Sequence, residues 1–391
     1  MFSDRTNWKL TRNRLTETLD EVRSSGARLL DLTISNPTRA GLRYDNTQIL
    51  QSLASPQAMD YDPQPKGLPG ARAAVAEYYQ TVHGIHNLDP DQVILTTSTS
   101  EGYSFVFRLL CNPGDELLVP KPSYPLFEFL ADLEDVKLVP YPLIYDHGWQ
   151  MDFPSLQQAV TERTRGIVVV HPNNPTGSFV KAHELESLNG LCRERALALI
   201  ADEVFLDYAH DRAPQHSFAA NADVLTFTLS GVSKISALPQ MKVAWIVTTG
   251  PAAVVQVAQS RLEVIADTYL SMNAPIQWAT PTLLEQRKSI QQQLLTRVLA
   301  NLKELDRQLA AQQACQRLDV DGGWYAVLRV PVRQTDEELA VALLRSKSVM
   351  LHPGHFYDFP SDGYLVLSLI TPENEFAEGI DRLLALVVAD C

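Results

Sequence analysis

Seven short runs rich in apolar and β-branched residues, Val93–Thr97, Glu116–Val119, Lys137–Leu143, Ile167–His171, Leu197–Asp202, Val224–Leu229 and Val243–Thr248, alternate with segments of helical spacing. That alternation predicts a mostly parallel α/β sheet. The run Gly166-Ile-Val-Val-Val170 is apolar throughout, as expected of a strand covered on both faces. From about 281 to 311, Ile290, Leu294, Val298, Leu302, Leu305 and Leu309 form one apolar stripe, which predicts a long helix packed on a core. Beyond it, 322–330 and 363–370 read as strands of a separate α+β unit. The N-terminal run Leu29–Ile34 is too short to form a domain alone and is expected to pack with that unit. The pattern therefore predicts an α/β fold. A large domain, 44–280, has a mostly parallel seven-stranded sheet covered by helices; a smaller α+β domain is built from both termini, 1–43 and 281–391.

Composition narrows the function classes. The 391 residues are 45% hydrophobic and 20% charged, ordinary for a globular protein, and show no internal repeat. A net charge of −13 argues against a nucleic-acid partner. Cys111, Cys192, Cys315 and Cys391 lie far apart without paired spacing, which predicts free thiols in a reducing compartment and neither a disulfide framework nor a metal site. No basic start followed by a long apolar run opens the chain, and no apolar stretch reaches the length of a membrane span. A cytoplasmic protein with no membrane partner is the expectation.

In open α/β sheets, ligands gather beyond the carboxyl ends of the strands. Ser98, Thr99 and Ser100 follow the first run, Tyr124 the second and Asn174 the fourth; Asp202 closes the fifth, and Ser230, Ser233 and Lys234 follow the sixth. A lysine that forms a Schiff base with a cofactor aldehyde needs a carboxylate for the ring nitrogen and donors for a phenolic oxygen and a phosphate. The chain offers each of these at one predicted edge.

These residues sit in His171-Pro-Asn-Asn-Pro-Thr-Gly177, Ile200-Ala-Asp-Glu-Val-Phe205 and Thr228-Leu-Ser-Gly-Val-Ser-Lys234, with Ser35-Asn-Pro-Thr38, 61–67 and Pro353-Gly354 outside them. In this the chain resembles the fold-type I pyridoxal-phosphate enzymes, specifically the class I/II aminotransferases, over nearly its whole length. The resemblance implies that Lys234 holds pyridoxal 5'-phosphate as a Schiff base and then shuttles the substrate proton. It implies that Asp202 pairs with the pyridine nitrogen, Asn174 donates to the phenolic oxygen and Tyr124 stacks on the ring. Ser98, Thr99 and Ser100 would hold the phosphate at a helix start, where backbone N–H groups favour anions. Tyr61 would reach the phosphate of the neighbouring subunit, which makes a homodimer the expected active unit.

Four positions depart from the family pattern. Phe205 stands where many relatives carry a tyrosine, so one hydrogen bond to the phenolic oxygen is missing. Gly231 replaces a phosphate-binding serine, leaving Ser230 and Ser233 as substitutes, and Lys242 replaces an arginine, keeping its charge without the two-point fork. Near the C-terminus the family commonly reads Arg-x-Ser, the arginine clamping the substrate carboxylate, whereas this chain reads Val366-Leu-Ser368. Arg39 is the best substitute cation, with Arg43 and Arg329 as others. Trp324 and His355, the latter flanking Pro353-Gly354 with His352, are further candidate substrate contacts. Ser178-Phe-Val-Lys181 matches an acylation motif by spacing alone.

The leading expectation is a transaminase that moves an amino group from an amino acid to a 2-oxo acid. A β-eliminating lyase on the same scaffold and a catalytically silent cofactor-binding regulator are the alternatives.

Overall fold

The computed structural model describes residues 2–8, 11–211 and 215–389. Near the N-terminus, β1 (Leu30–Asp31) pairs in parallel with β12 (Val349–Met350), 319 residues further along the sequence. Leu15, Val22, Leu30 and Leu32 share one apolar cluster with Leu294, Val298, Leu343, Leu365 and Phe376. Leu29–Ile34 thus finds its partners in the C-terminal part of the chain, because a two-residue strand cannot bury its own apolar side chains.

All seven predicted strands form, as β2 (Val93–Thr96), β3 (Glu116–Lys121), β4 (Lys137–Tyr145), β6 (Thr164–Val170), β7 (Ala198–Asp202), β8 (Thr226–Gly231) and β9 (Ala244–Thr249). An eighth, β5 (Trp149–Met151), extends the sheet as the antiparallel return of β4; three residues are too few for the period to announce it. The spatial order is β2-β9-β8-β7-β6-β3-β4-β5. From β8 to β4 every pairing is parallel, and β9 runs against both of its neighbours.

The apolar run at 166–170 is explained by its two faces. Val168 and Val170 enter a cluster with Tyr103, Phe107, Ile200 and Leu262, while Ile167 and Val169 enter another with Leu156, Leu188 and Leu191. Successive side chains leave a strand on opposite sides, so a sheet with helices on both faces needs apolar residues at every step. Each such side chain contributes about 1.5–3 kcal/mol when fully buried.

The long helix spans Arg287–Leu309 and buries Ile290, Leu294, Val298, Leu302 and Leu305, as its stripe predicts. Asn301 lies on the same face, where its amide donates to the carbonyls of Leu369 and Thr371 at 2.9 and 2.8 Å. The helix covers a second, antiparallel sheet of order β10-β11-β14-β13, made of β10 (Gln316–Arg317), β11 (Tyr325–Arg329), β13 (His352–Pro353) and β14 (Tyr364–Ser368). Cys111 and Cys192 are free thiols, and Cys391 lies outside the described residues. No helix among the described residues is long and apolar enough to cross a membrane.

Candidate active site

A cavity of about 340 Å³ opens beyond the carboxyl ends of the parallel strands, lined among others by Thr99, Tyr124, Asn174, Asp202, Phe205, Ser233 and Lys234. Tyr325, His352 and Tyr357 close its other side, and Ser35 reaches it from the N-terminal segment. The large sheet and the antiparallel sheet therefore both contribute walls.

Lys234 lies on a single helical turn, Val232–Ile235, that follows β8 directly. The turn is pinned by Tyr208, whose hydroxyl donates to the Lys234 carbonyl at 2.6 Å. The Lys234 Nζ sits 5.2 Å from the Trp324 ring centroid and 5.5 Å from that of Phe205. Burial among such groups disfavours the ammonium and lowers its pKa from 10.5 to about 8, with Asp202 opposing. A lysine in this setting can give up its proton near neutral pH.

Asp202 is the last residue of β7, in register with Val170 on β6 and Leu229 on β8. Burial raises its pKa; the Val204 N–H, the Tyr103 hydroxyl and the Lys234 charge all pull the other way. Tyr103 donates to Oδ2 at 3.0 Å and the Val204 amide to Oδ1 at 3.1 Å. Tyr103 itself lies one turn beyond Thr99 on the helix Thr99–Leu110.

Asn174 is buried, faces the cavity and leaves its carboxamide oxygen without a partner among the described residues. Its neighbours in the motif build the loop. Asn173 donates to the Pro122 carbonyl at 3.0 Å and accepts from the Ser123 hydroxyl at 3.2 Å, tying the Asn174 loop to the Tyr124 loop. His171 accepts the Val180 N–H at Nδ1, so its Nε2 carries the proton that is donated to the His216 carbonyl at 2.9 Å. Burial drives its pKa down to about 3 and keeps the ring neutral. Gly177 has φ +69°, and a Cβ there would lie 2.4 Å from the Gly322 carbonyl oxygen. Only glycine fits that turn.

Ser98 caps the helix Thr99–Leu110 by accepting the Glu101 N–H at 3.2 Å. Thr99 lines the cavity, whereas Ser98 and Ser100 are half-buried beside it. Ser233 also lines it, but the Ser230 hydroxyl is buried and donates to the Glu203 carbonyl at 3.3 Å. Gly231 is explained by its neighbour strand: a Cβ would meet the Val243 carbonyl oxygen at 2.7 Å.

Five sequence candidates lie elsewhere. Lys242 is exposed, Tyr61 is 81% exposed, and Arg39 is exposed on the turn Pro37–Arg39; none lines the cavity. Trp324 is fully buried behind Lys234 rather than in the wall. His355 is exposed, and it is His352, the other histidine flanking Pro353-Gly354, that faces the cavity. The sequence could not order the two, because which one points inward depends on the pairing of β13 with β14.

A profile described as aminotransferase class I and II matches residues 28–383. The chain belongs to this family. It is 30% identical to an alanine aminotransferase of Mycobacterium tuberculosis over 372 residues, covering 93% of this chain and 86% of that one. A glutamate-pyruvate aminotransferase of Haemophilus influenzae is 29% identical over 370 residues, covering 93% and 91%. The fold matches that of an alanine aminotransferase from Pyrococcus furiosus with a TM-score of 0.91 over the full length of both chains, at 22% identity. Class I and II aminotransferases depend on pyridoxal phosphate, and this member is a transaminase. The lyase alternative is not favoured.

Proposed function

We propose that Lys234 is the residue that binds the cofactor aldehyde and that Asp202, Asn174, Tyr124 and the 98–100 segment hold the rest of it. The observation that carries this reading is a half-buried lysine of depressed pKa and a half-buried carboxylate on one cavity at the strand ends. The residue set fits the group: a nucleophilic amine, an acid for a ring nitrogen, a carboxamide at the cavity wall whose NH2 can donate, an aromatic face and a helix start. Pyridoxal phosphate, when bound, supplies an aldehyde that condenses with amines and a ring that accepts the electrons left by a departing α-proton.

Each protein group then has a task. The Asp202 carboxylate would hold a proton on the ring nitrogen, and Tyr103 and the Val204 amide keep that carboxylate oriented. The Lys234 amine, once free, would take the proton from the substrate α-carbon and deliver it to the carbon that had been the cofactor aldehyde, on the other side of the shared nitrogen; a pKa of about 8 suits both directions. Phe205 and Trp324 keep water away from that amine. The Asn174 NH2 would donate to the phenolic oxygen. Backbone and hydroxyl donors of Ser98, Thr99 and Ser100 hold the phosphate, with Ser233 as a fourth donor. Tyr61, exposed in the single chain, belongs in this account to a homodimer, where it serves the partner's site; Lys242, in place of an arginine, would lend its charge to the phosphate. The chain divides between a large unit, 44–280, and a smaller one of 1–43 and 281–391, and the unpaired cysteine spacing supports a cytoplasmic setting.

An amino donor added alone to the reconstituted protein should convert its visible absorption to that of the aminated cofactor. No change across a broad panel of amino donors would refute the reading.

A further inference from the structure

The cavity holds many uncharged polar groups and few cations. Among the described residues that line it, Lys234 and His352 are the two able to carry positive charge, and the proposed chemistry commits Lys234. Burial lowers the His352 pKa below its ordinary 6.5, with Asp31 opposing, so the imidazole is neutral near pH 7. The arginines of this region are exposed outside the wall: Arg39 and Arg43 on the N-terminal segment, and Arg329 at the far end of β11 beside the Tyr364 ring. Lys121 is held by Asp358 at 3.0 Å. A substrate carboxylate in the cavity would have no fixed positive partner among the described residues of its own chain that line it, and burying an unpaired charge is costly.

The sheet register shows what stands there instead. Val366 on β14 lies opposite Val327 on β11 and opposite His352 on β13, so the three side chains form a row on one face. Two residues along, Tyr325 and Ser368 form the next row on the same face. Tyr325 and His352 both line the cavity, which makes this the cavity-side face. Val366, 1% exposed, occupies the middle of the row. Beside it, His352 Nδ1 lies 3.1 Å from the Tyr357 hydroxyl, and Tyr357 is also in the wall. Burial raises the Tyr357 pKa, so the phenol keeps its proton.

A neutral imidazole hydrogen-bonded to a phenol presents one donor and one acceptor whichever tautomer it adopts. If Nδ1 accepts from Tyr357, Nε2 donates and the phenol oxygen accepts; if Nδ1 donates, the phenol donates and Nε2 accepts. A carboxylate offers acceptors alone and would leave the acceptor of this pair facing another acceptor. A carboxamide or an alcohol offers both.

We propose that Val366, His352 and Tyr357 select amino substrates whose group beside the amine-bearing carbon is polar but uncharged, a carboxamide or a hydroxymethyl, over the corresponding free amino acids. The selection rests on the transaminase reading above, and it binds the oxo partner equally, since both use one site.

The test compares L-alanine, L-alaninamide and L-alaninol, and the same series for tyrosine, in the half-reaction of the holoenzyme. The amide or alcohol is expected to react with at least about tenfold higher efficiency than the matched acid. Free acids that match or exceed them overturn the proposal. Binding is read separately by calorimetry with 2-methylalanine, its amide and 2-amino-2-methylpropan-1-ol, which lack the hydrogen that turnover removes. Tighter binding of the amide and alcohol supports the proposal even if no donor turns over, an outcome that would count against the transaminase reading alone. Equal or tighter binding of the acid, or no binding of any, overturns it. Val366→Arg should shift preference toward the acids. Should that variant not fold, His352→Phe decides: it should erase the advantage of the amide over isopropylamine, and a retained advantage contradicts the role of His352.

Discussion

Lys234 is set apart from other lysines of the chain by where its amine sits, between the rings of Trp324 and Phe205 and near Asp202. Its pKa falls from 10.5 to about 8 on folding, a net shift that already includes the attraction of Asp202. The unfolded chain therefore holds this proton more firmly than the folded one. The resulting destabilisation is full below pH 8 and fades as pH rises toward 10.5. Lys234→Met in the cofactor-free protein should accordingly raise Tm at pH 7, by a margin that narrows above pH 8. A variant less stable than wild type at pH 7 would show that the amine is not desolvated in this way. At this scale the sequence was most legible where a residue's chemistry is tied to a strand end, as for Asp202, Asn174 and Lys234. It was least legible for Trp324 and His355, whose direction is set by packing and by the pairing of β13.

Among the elements, the helix Thr99–Leu110 does two things at once. Its first turn faces the cavity through Thr99, and one turn later Tyr103 crosses to β7 and donates to Asp202. Hydrogen bonds to charged groups contribute about 1.5–3 kcal/mol. Tyr103→Phe should therefore weaken pyridoxal phosphate binding about tenfold, measured by fluorescence titration, with little change in Tm. Unchanged affinity would mean that Asp202 is oriented without Tyr103. The i, i+4 spacing of Thr99 and Tyr103 could have disclosed this link. It went unread because a tyrosine inside an apolar helix face reads first as core, and Tyr103 is indeed packed against Phe107 and Phe127. The seven main strands were readable because both faces of the sheet are covered. The short β1, β5, β10, β12 and β13 were not, since two or three residues carry no period and form only against a partner already in place.

For the whole molecule, the exposed Tyr61 raises the question of the assembly. If Tyr61 serves the partner's site, chains carrying Lys234→Ala and chains carrying Tyr61→Ala should complement each other when mixed. Each mixed dimer then regains one site with both residues, and random pairing restores about a quarter of wild-type activity. Absence of any recovery would place Tyr61 outside the partner's site. The small antiparallel sheet also sets what the molecule accepts, because His352 lines the cavity at the end of the row Val327, Val366 and His352, where a fixed cation is absent among the described lining residues. Family membership predicts the reaction, and this row decides which amines reach it.

The account depends above all on the covalent attachment of the cofactor to Lys234. Borohydride reduction of the reconstituted protein, followed by proteolysis and mass spectrometry, measures that attachment directly. The phosphopyridoxyl group should appear on the peptide containing Lys234 and be lost in Lys234→Ala. Its recovery on Lys242 or another lysine, or on none, would contradict the account.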